Sequence, residues 1–131
     1  MDLLLRVLIG AIALLFLVMG LGYVFDPASN AADLSLTPIG EHGLNTLRGD
    51  LGGLFLGSTV LLVLGLVQRR IEWFLSVAVF MGVIASGRIV GFVVDGNPAE
   101  LALIAFGFEV GITALLVLAS YRQLRATREG H

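Results

Sequence analysis

Residues 73–109, WFLSVAVFMGVIASGRIVGFVVDGNPAELALIAFGFE, decide how the chain is to be read. Two apolar runs flank Asp95-Gly96-Asn97-Pro98, a tetrad of turn-forming residues. A helix needs about 20 apolar residues to cross the hydrocarbon core of a bilayer, and each run is of that order. Each also carries one ionisable side chain in its interior, Arg88 in the first and Glu109 in the second. At about 1.5 Å of rise per residue, Arg88 lies roughly 10 Å and Glu109 roughly 12 Å from the turn, so the two sit at nearly the same depth. A short turn makes the helices antiparallel neighbours, and an Arg88–Glu109 salt bridge is therefore expected. Left apart, the two charges would cost about 5 to 7 kcal/mol on membrane-insertion scales.

The rest of the chain repeats this pattern. It has 131 residues, 57% hydrophobic and 14% charged, with a mean hydropathy of +0.97, and little length remains for a soluble domain. The expected architecture is a single all-α transmembrane domain over residues 1–131, a four-helix bundle with helices at about 3–24, 44–67, 73–94 and 101–121. Asp26-Pro27 ends the first helix, and residues 25–43 form the one sizeable loop, on the outer side. The first run exceeds the apolar segment of a secretory signal and no convincing small-x-small cleavage site follows it, so it is read as a retained helix. Arg69, Arg70 and the arginines of a basic tail over residues 122–131 (Arg122, Arg125, Arg128) mark one side, and the loops between the other helix ends hold acids without arginine. By the positive-inside rule both termini are expected to be cytoplasmic. Tyr23, Trp73 and Tyr121 fall near helix ends, where amphipathic rings favour the interface.

Close helix packing in lipid relies on small residues. Gly49, Gly53 and Gly57 recur at four-residue spacing and are expected to pack the second helix inside the bundle. Gly87 and Gly91 share that spacing on the third helix, Gly107 and Gly111 on the fourth. Glu109 lies some 200° around the helix from both Gly107 and Gly111, so an inward Glu109 turns that pair outward as a candidate homodimer contact.

Four charged residues form the candidate site: Arg48 and Asp50 at the start of the second helix, Arg88 and Glu109. Two readings stand side by side. In one, they line a pocket open to the outer side, where the arginines grip the carboxylate or phosphate of a small amphipathic or anionic ligand, such as a lipid headgroup or a quinone-like molecule. In the other, they are a neutral clasp that fixes which helices pack together, and the glycine faces dock the protein against itself or a larger membrane complex. The inner half offers only uncharged groups such as Ser58, Thr59, Ser76 and Thr113, which argues against a proton or ion path through a monomer.

Cysteine is absent, which excludes disulfides and thiolate chemistry. Glu41 and His42 fall short of a metal site, and the other histidine is the final residue, His131. No nucleotide-binding glycine loop, paired-histidine helix motif or serine nucleophile elbow is present, and nothing points to nucleic acid. The sequence names neither a catalytic residue nor a cofactor.

Phe25-Asp26-Pro27, Arg48-Gly49-Asp50-Leu51-Gly52-Gly53, Arg88 and Glu109 resemble a family of small bacterial four-span membrane proteins classed as domain of unknown function 4345, distantly similar to the DoxX-like group. The resemblance covers nearly the whole chain. It implies a four-helix fold in the bacterial inner membrane and supplies no established activity. Some DoxX-like proteins are linked to membrane oxidoreductase complexes and quinone chemistry. With no cysteine, no histidine inside a span and no haem-ligand pair, such a link would make this chain an accessory subunit.

Overall fold

The computed structural model describes residues 2–96 and 99–129, the side chains of residues 126–129 excepted. Asn97 and Pro98 of the expected turn, the side chain of Arg128 and His131 lie outside the described residues. The chain is helical, without strands among the described residues. Its elements are α1 (Leu3–Phe25), α2 (Pro27–Asp33), α3 (Gly40–Thr46), a π-helical segment (Leu47–Gly52), α4 (Gly53–Gln68), α5 (Ile71–Val94) and α6 (Glu100–Glu129).

Four stretches are long and apolar enough to cross a membrane: Leu3–Phe25, Gly40–Gln68, Ile71–Val94 and Glu100–Arg125. Large aliphatic side chains such as Leu14, Val18, Val79 and Val83 stand on the outside of the molecule. Such a surface is compatible with lipid and not with water. The chain is a multi-pass membrane protein.

The boundaries differ from expectation in three places, each for a local reason. Residues 25–43 are not all loop. Asp26 caps α2 by accepting a hydrogen bond from the Ser29 amide at 3.3 Å, with Pro27 at the first helical position, where a missing N–H costs nothing. The second span begins at Gly40 rather than Leu44 and carries its π turn at Leu47–Gly52. The expected tail is a continuation of α6 as far as Glu129. Between α4 and α5 the chain reverses through Arg69 and Arg70. Arg69 takes a left-handed conformation (φ 54°) that stops α4, and its carbonyl accepts a hydrogen bond from Gln123 of α6.

The four spans form a ring in which α1 packs on α4, α4 on α5, α5 on α6, and α6 closes back on α1. The α1–α4 and α5–α6 pairs are the most extensive. Buried apolar residues gather in the half of the bundle nearest the termini: Leu5 to Phe16 of α1, Leu62 of α4, Phe74 to Met81 of α5 and Ile112 to Ala119 of α6. At the opposite end the π segment, α2 and α3 pack among themselves and on α1 and α4. Tyr23 is buried there, stacked on Phe55 at 6.0 Å, and its hydroxyl donates to the Asn30 carbonyl at 3.2 Å.

Glycine does assist the packing, but not at the expected positions. Gly49, Gly53 and Gly57 are exposed, and a Cβ on any of them would meet nothing within 4 Å. The glycines in close contact are Gly20 against Leu56, Gly52 against Val24 and Gly65 against the Phe74 ring, with Gly22 against Asn30 of α2 and Gly43 against Pro38. Spacing alone locates glycines on a common face without saying which way the face points. The π segment, with its wider turn, also shifts Gly49 out of phase with the glycines that follow it.

Hydroxyl groups inside the spans follow one pattern. Those of Thr59, Ser76, Ser86, Thr113 and Ser120 donate to the carbonyl four residues earlier, at 2.8–2.9 Å. Thr59 also lies 3.3 Å from the Ala13 carbonyl, a polar link between α4 and α1. The Ser58 hydroxyl departs from the pattern: it is buried with no hydrogen-bond partner among the described residues. An orphaned buried hydroxyl costs about 1 to 3 kcal/mol. Ser58→Ala is therefore expected to raise stability by about 1 kcal/mol, read as an increased thermal midpoint in detergent. A lowered midpoint would show that the hydroxyl has a partner in the membrane.

Candidate functional site

Arg88 and Glu109 meet as their equal depth from the turn requires. The Arg88 Nε lies 2.7 Å from Glu109 Oε1 and 2.8 Å from Oε2, so one N–H is shared between both carboxylate oxygens. The side chains are 31% and 12% exposed, and the pair is screened from solvent without being sealed. Glu109 is then occupied on both oxygens, while Arg88 has spent one donor of five. Its Nη1 and Nη2 make no hydrogen bond among the described residues. The more common fork, in which guanidinium and carboxylate form two parallel bonds, would have left fewer donors free.

Arg88 also borders a cavity of about 300 Å³ between the end of α5 and the start of α6. Gly91 and Phe92 of α5, Asp95 at its C-terminal cap and Ala102 of α6 are among its lining residues, and the small ones keep it open. Asp95 is exposed and forms no ion pair among the described residues. The Phe92 ring meets Phe106 of α6 edge-to-face, with centroids 5.7 Å apart.

Arg48 and Asp50 stand apart from this arrangement. Both are exposed on the π segment, and the Arg48 Nε donates to the Val24 carbonyl at 3.1 Å, near the end of α1. Neither is joined to Arg88 or Glu109 by a hydrogen bond or ion pair among the described residues. Arg48 thus ties the π segment to α1, satisfying one of the carbonyls that a helix end leaves unpaired. Gly107 and Gly111 are exposed on α6, and no atom would meet a Cβ on either within 4 Å.

Asp95 and the Phe92–Phe106 pair were not among the residues singled out from sequence. Asp95 read as a turn residue, and two phenylalanines in a run of apolar side chains carry no signal of contact. Among the described residues there is no group of three His, Asp or Glu side chains able to hold a metal ion.

Against known proteins, the profile of one family, Domain of unknown function (DUF4345), matches residues 4–120. No curated protein and no solved structure matches the chain.

Proposed function

The chain belongs to the DUF4345 family, a family that supplies no activity, and on that premise we propose that this protein binds a small amphipathic or anionic ligand at Arg88. The observation that carries the reading is the unspent edge of the guanidinium. Arg88 is kept in an apolar span, where charge is expensive, and is charge-balanced by Glu109 through a single N–H. A pair serving packing alone gains nothing from leaving four N–H donors unspent on a side chain that borders a 300 Å³ cavity.

The arginines at the terminal end support, by the positive-inside rule, a reading in which both termini are cytoplasmic. The Arg88 cavity then opens to the periplasmic side of a bacterial inner membrane. Arg48, at the same end, acts as the clasp between the π segment and α1. Ligand recognition rests on Arg88 with Glu109 as its positioning partner.

Native mass spectrometry of protein extracted gently from its own membrane tests this. Wild type and Arg48→Gln are expected to retain a small molecule that the doubly neutral Arg88→Gln/Glu109→Gln protein lacks. A molecule retained equally by all three would sink the reading. The exposure of Gly107 and Gly111 on a lipid-facing helix favours a second reading, a structural or accessory subunit that docks on itself or on a larger membrane complex, a redox complex included. In the same spectra, a ligand-free oligomer or a protein partner surviving in all three would turn the conclusion to it.

A further inference from the structure

Charge accounting around the cavity narrows the ligand. Arg88 and Glu109 cancel, and among the described residues the one remaining charge on the cavity wall is the carboxylate of Asp95. A simple anion would gain the Arg88 donors while meeting a net negative surround. A head with an anionic group and an ammonium satisfies both: the anion on the Nη edge of Arg88, the cation on Asp95. The two residues are seven positions apart, Arg88 inside α5 and Asp95 at its C-terminal cap, about 10 Å along the helix axis, and both border the same cavity.

A second cavity, of about 380 Å³, lies deeper between the same helices. Gly82, Ser86 and Ile89 of α5 and Val110, Ala114 and Val117 of α6 are among its lining residues. Its hydroxyls are turned to their own helices, since Ser86 donates to the Gly82 carbonyl and Thr113 to that of Glu109, each at 2.8 Å. The wall it presents is therefore hydrocarbon. Ser86, Ile89, Ala114 and Val117 are exposed, so the groove opens sideways to the bilayer. Phe106 lines the groove and its edge-to-face partner Phe92 lines the charged cavity, which makes that aromatic pair the common wall of the two. From Phe106 to Val117 the groove runs about 16 Å along α6, enough for a substantial part of one acyl chain.

Building on the reading of Arg88 as the ligand contact, we propose that the ligand is a zwitterionic amphiphile with its anionic group on Arg88, its ammonium on Asp95 and one acyl chain in the groove between α5 and α6. Chains gain little by leaving lipid for a protein groove, so the head supplies the affinity and the groove selects chain shape.

The test uses the full chain in an uncharged maltoside detergent, which offers neither phosphate nor ammonium, and two single-chain probes. One is lysophosphatidylethanolamine, which carries an ammonium. The other is lysophosphatidylglycerol, which carries the same phosphodiester without it. The first is expected to bind about tenfold tighter, Asp95→Asn to abolish that preference, and Ser86→Leu/Ala114→Leu, at two exposed positions, to weaken both probes alike. If lysophosphatidylglycerol binds as well or better and Asp95→Asn favours it further, the site takes a plain anion. The zwitterion is then overturned while the Arg88 reading stands. Should Ser86→Leu/Ala114→Leu leave both probes unchanged, the groove does not hold the chain and the proposal fails in that part. If Arg88→Gln/Glu109→Gln, with its thermal midpoint preserved, binds both probes as wild type does, the Arg88 reading itself falls.

Discussion

Arg88→Gln alone is expected to destabilise the protein by about 3 kcal/mol, and Arg88→Gln/Glu109→Gln by less than about 1 kcal/mol. The single change strands a carboxylate only 12% exposed, whose two oxygens both depend on the Arg88 Nε. Removing one partner of a buried ion pair costs about 3 to 5 kcal/mol, whereas neutralising both is often harmless. The lower end of that range applies because Arg88 is 31% exposed and the pair is not sealed inside the bundle. Glu109→Gln should cost less than Arg88→Gln, since a long arginine side chain can move its head toward water while a short carboxylate cannot. Thermal midpoints of the three variants in one detergent give the comparison. Equal losses in the single and double variants would show that the pair is held by packing and not by charge.

Gly65→Ala is expected to cost about 2 to 3 kcal/mol, and Gly107→Ala to cost nothing or to stabilise slightly. A Cβ at Gly65 would fall 2.7 Å from one carbon of the Phe74 ring and closer still to the next. Phe74 is fully buried in the core and cannot swing aside. Inserting atoms into a filled core typically costs about 1 to 3 kcal/mol. At Gly107 a Cβ meets nothing, and alanine restores up to about 1 kcal/mol of helix propensity. The same thermal midpoints decide the matter, and a Gly107→Ala loss as large as that of Gly65→Ala would mean that α6 is covered by a partner. Gly20→Ala should fall between, because Leu56 can yield with its side chain but not with its backbone nitrogen at 3.0 Å.

What the sequence disclosed and what it hid divide along physical lines. The spans were legible because the bilayer imposes a length and an apolarity that few other structures need. The Arg88–Glu109 contact was legible because a tight turn and a fixed rise per residue set their relative depth. The direction of the Gly49, Gly53 and Gly57 face was not, since periodicity within a uniformly apolar helix does not distinguish lipid from neighbour. Asp26-Pro27 reads as a helix breaker, and it is one for α1. The same pair is also a start signal for α2, with a capping carboxylate before a proline. Depth along the helix, finally, did not reveal separation around the bundle, and Arg48 found a carbonyl of α1 instead of the other charges. How many donors Arg88 would spend on Glu109 is a matter of rotamers that the order of residues does not encode.

The buried apolar residues are concentrated at one end of the bundle, and this gives the molecule a mechanical character. Near the termini all four spans share one core, so no helix there can shift without its neighbours. At the other end α5 and α6 pack chiefly on each other, while α1 and α4 carry the π segment and the short helices. The two helix pairs have a common root and separate tips. A tip about 20 Å above the root travels about 2 Å for a tilt of only about 5°. The distance between the two tips would thus change through motions too small to disturb the core, a lever whose fulcrum lies among Phe16, Leu62, Phe74 and Leu116.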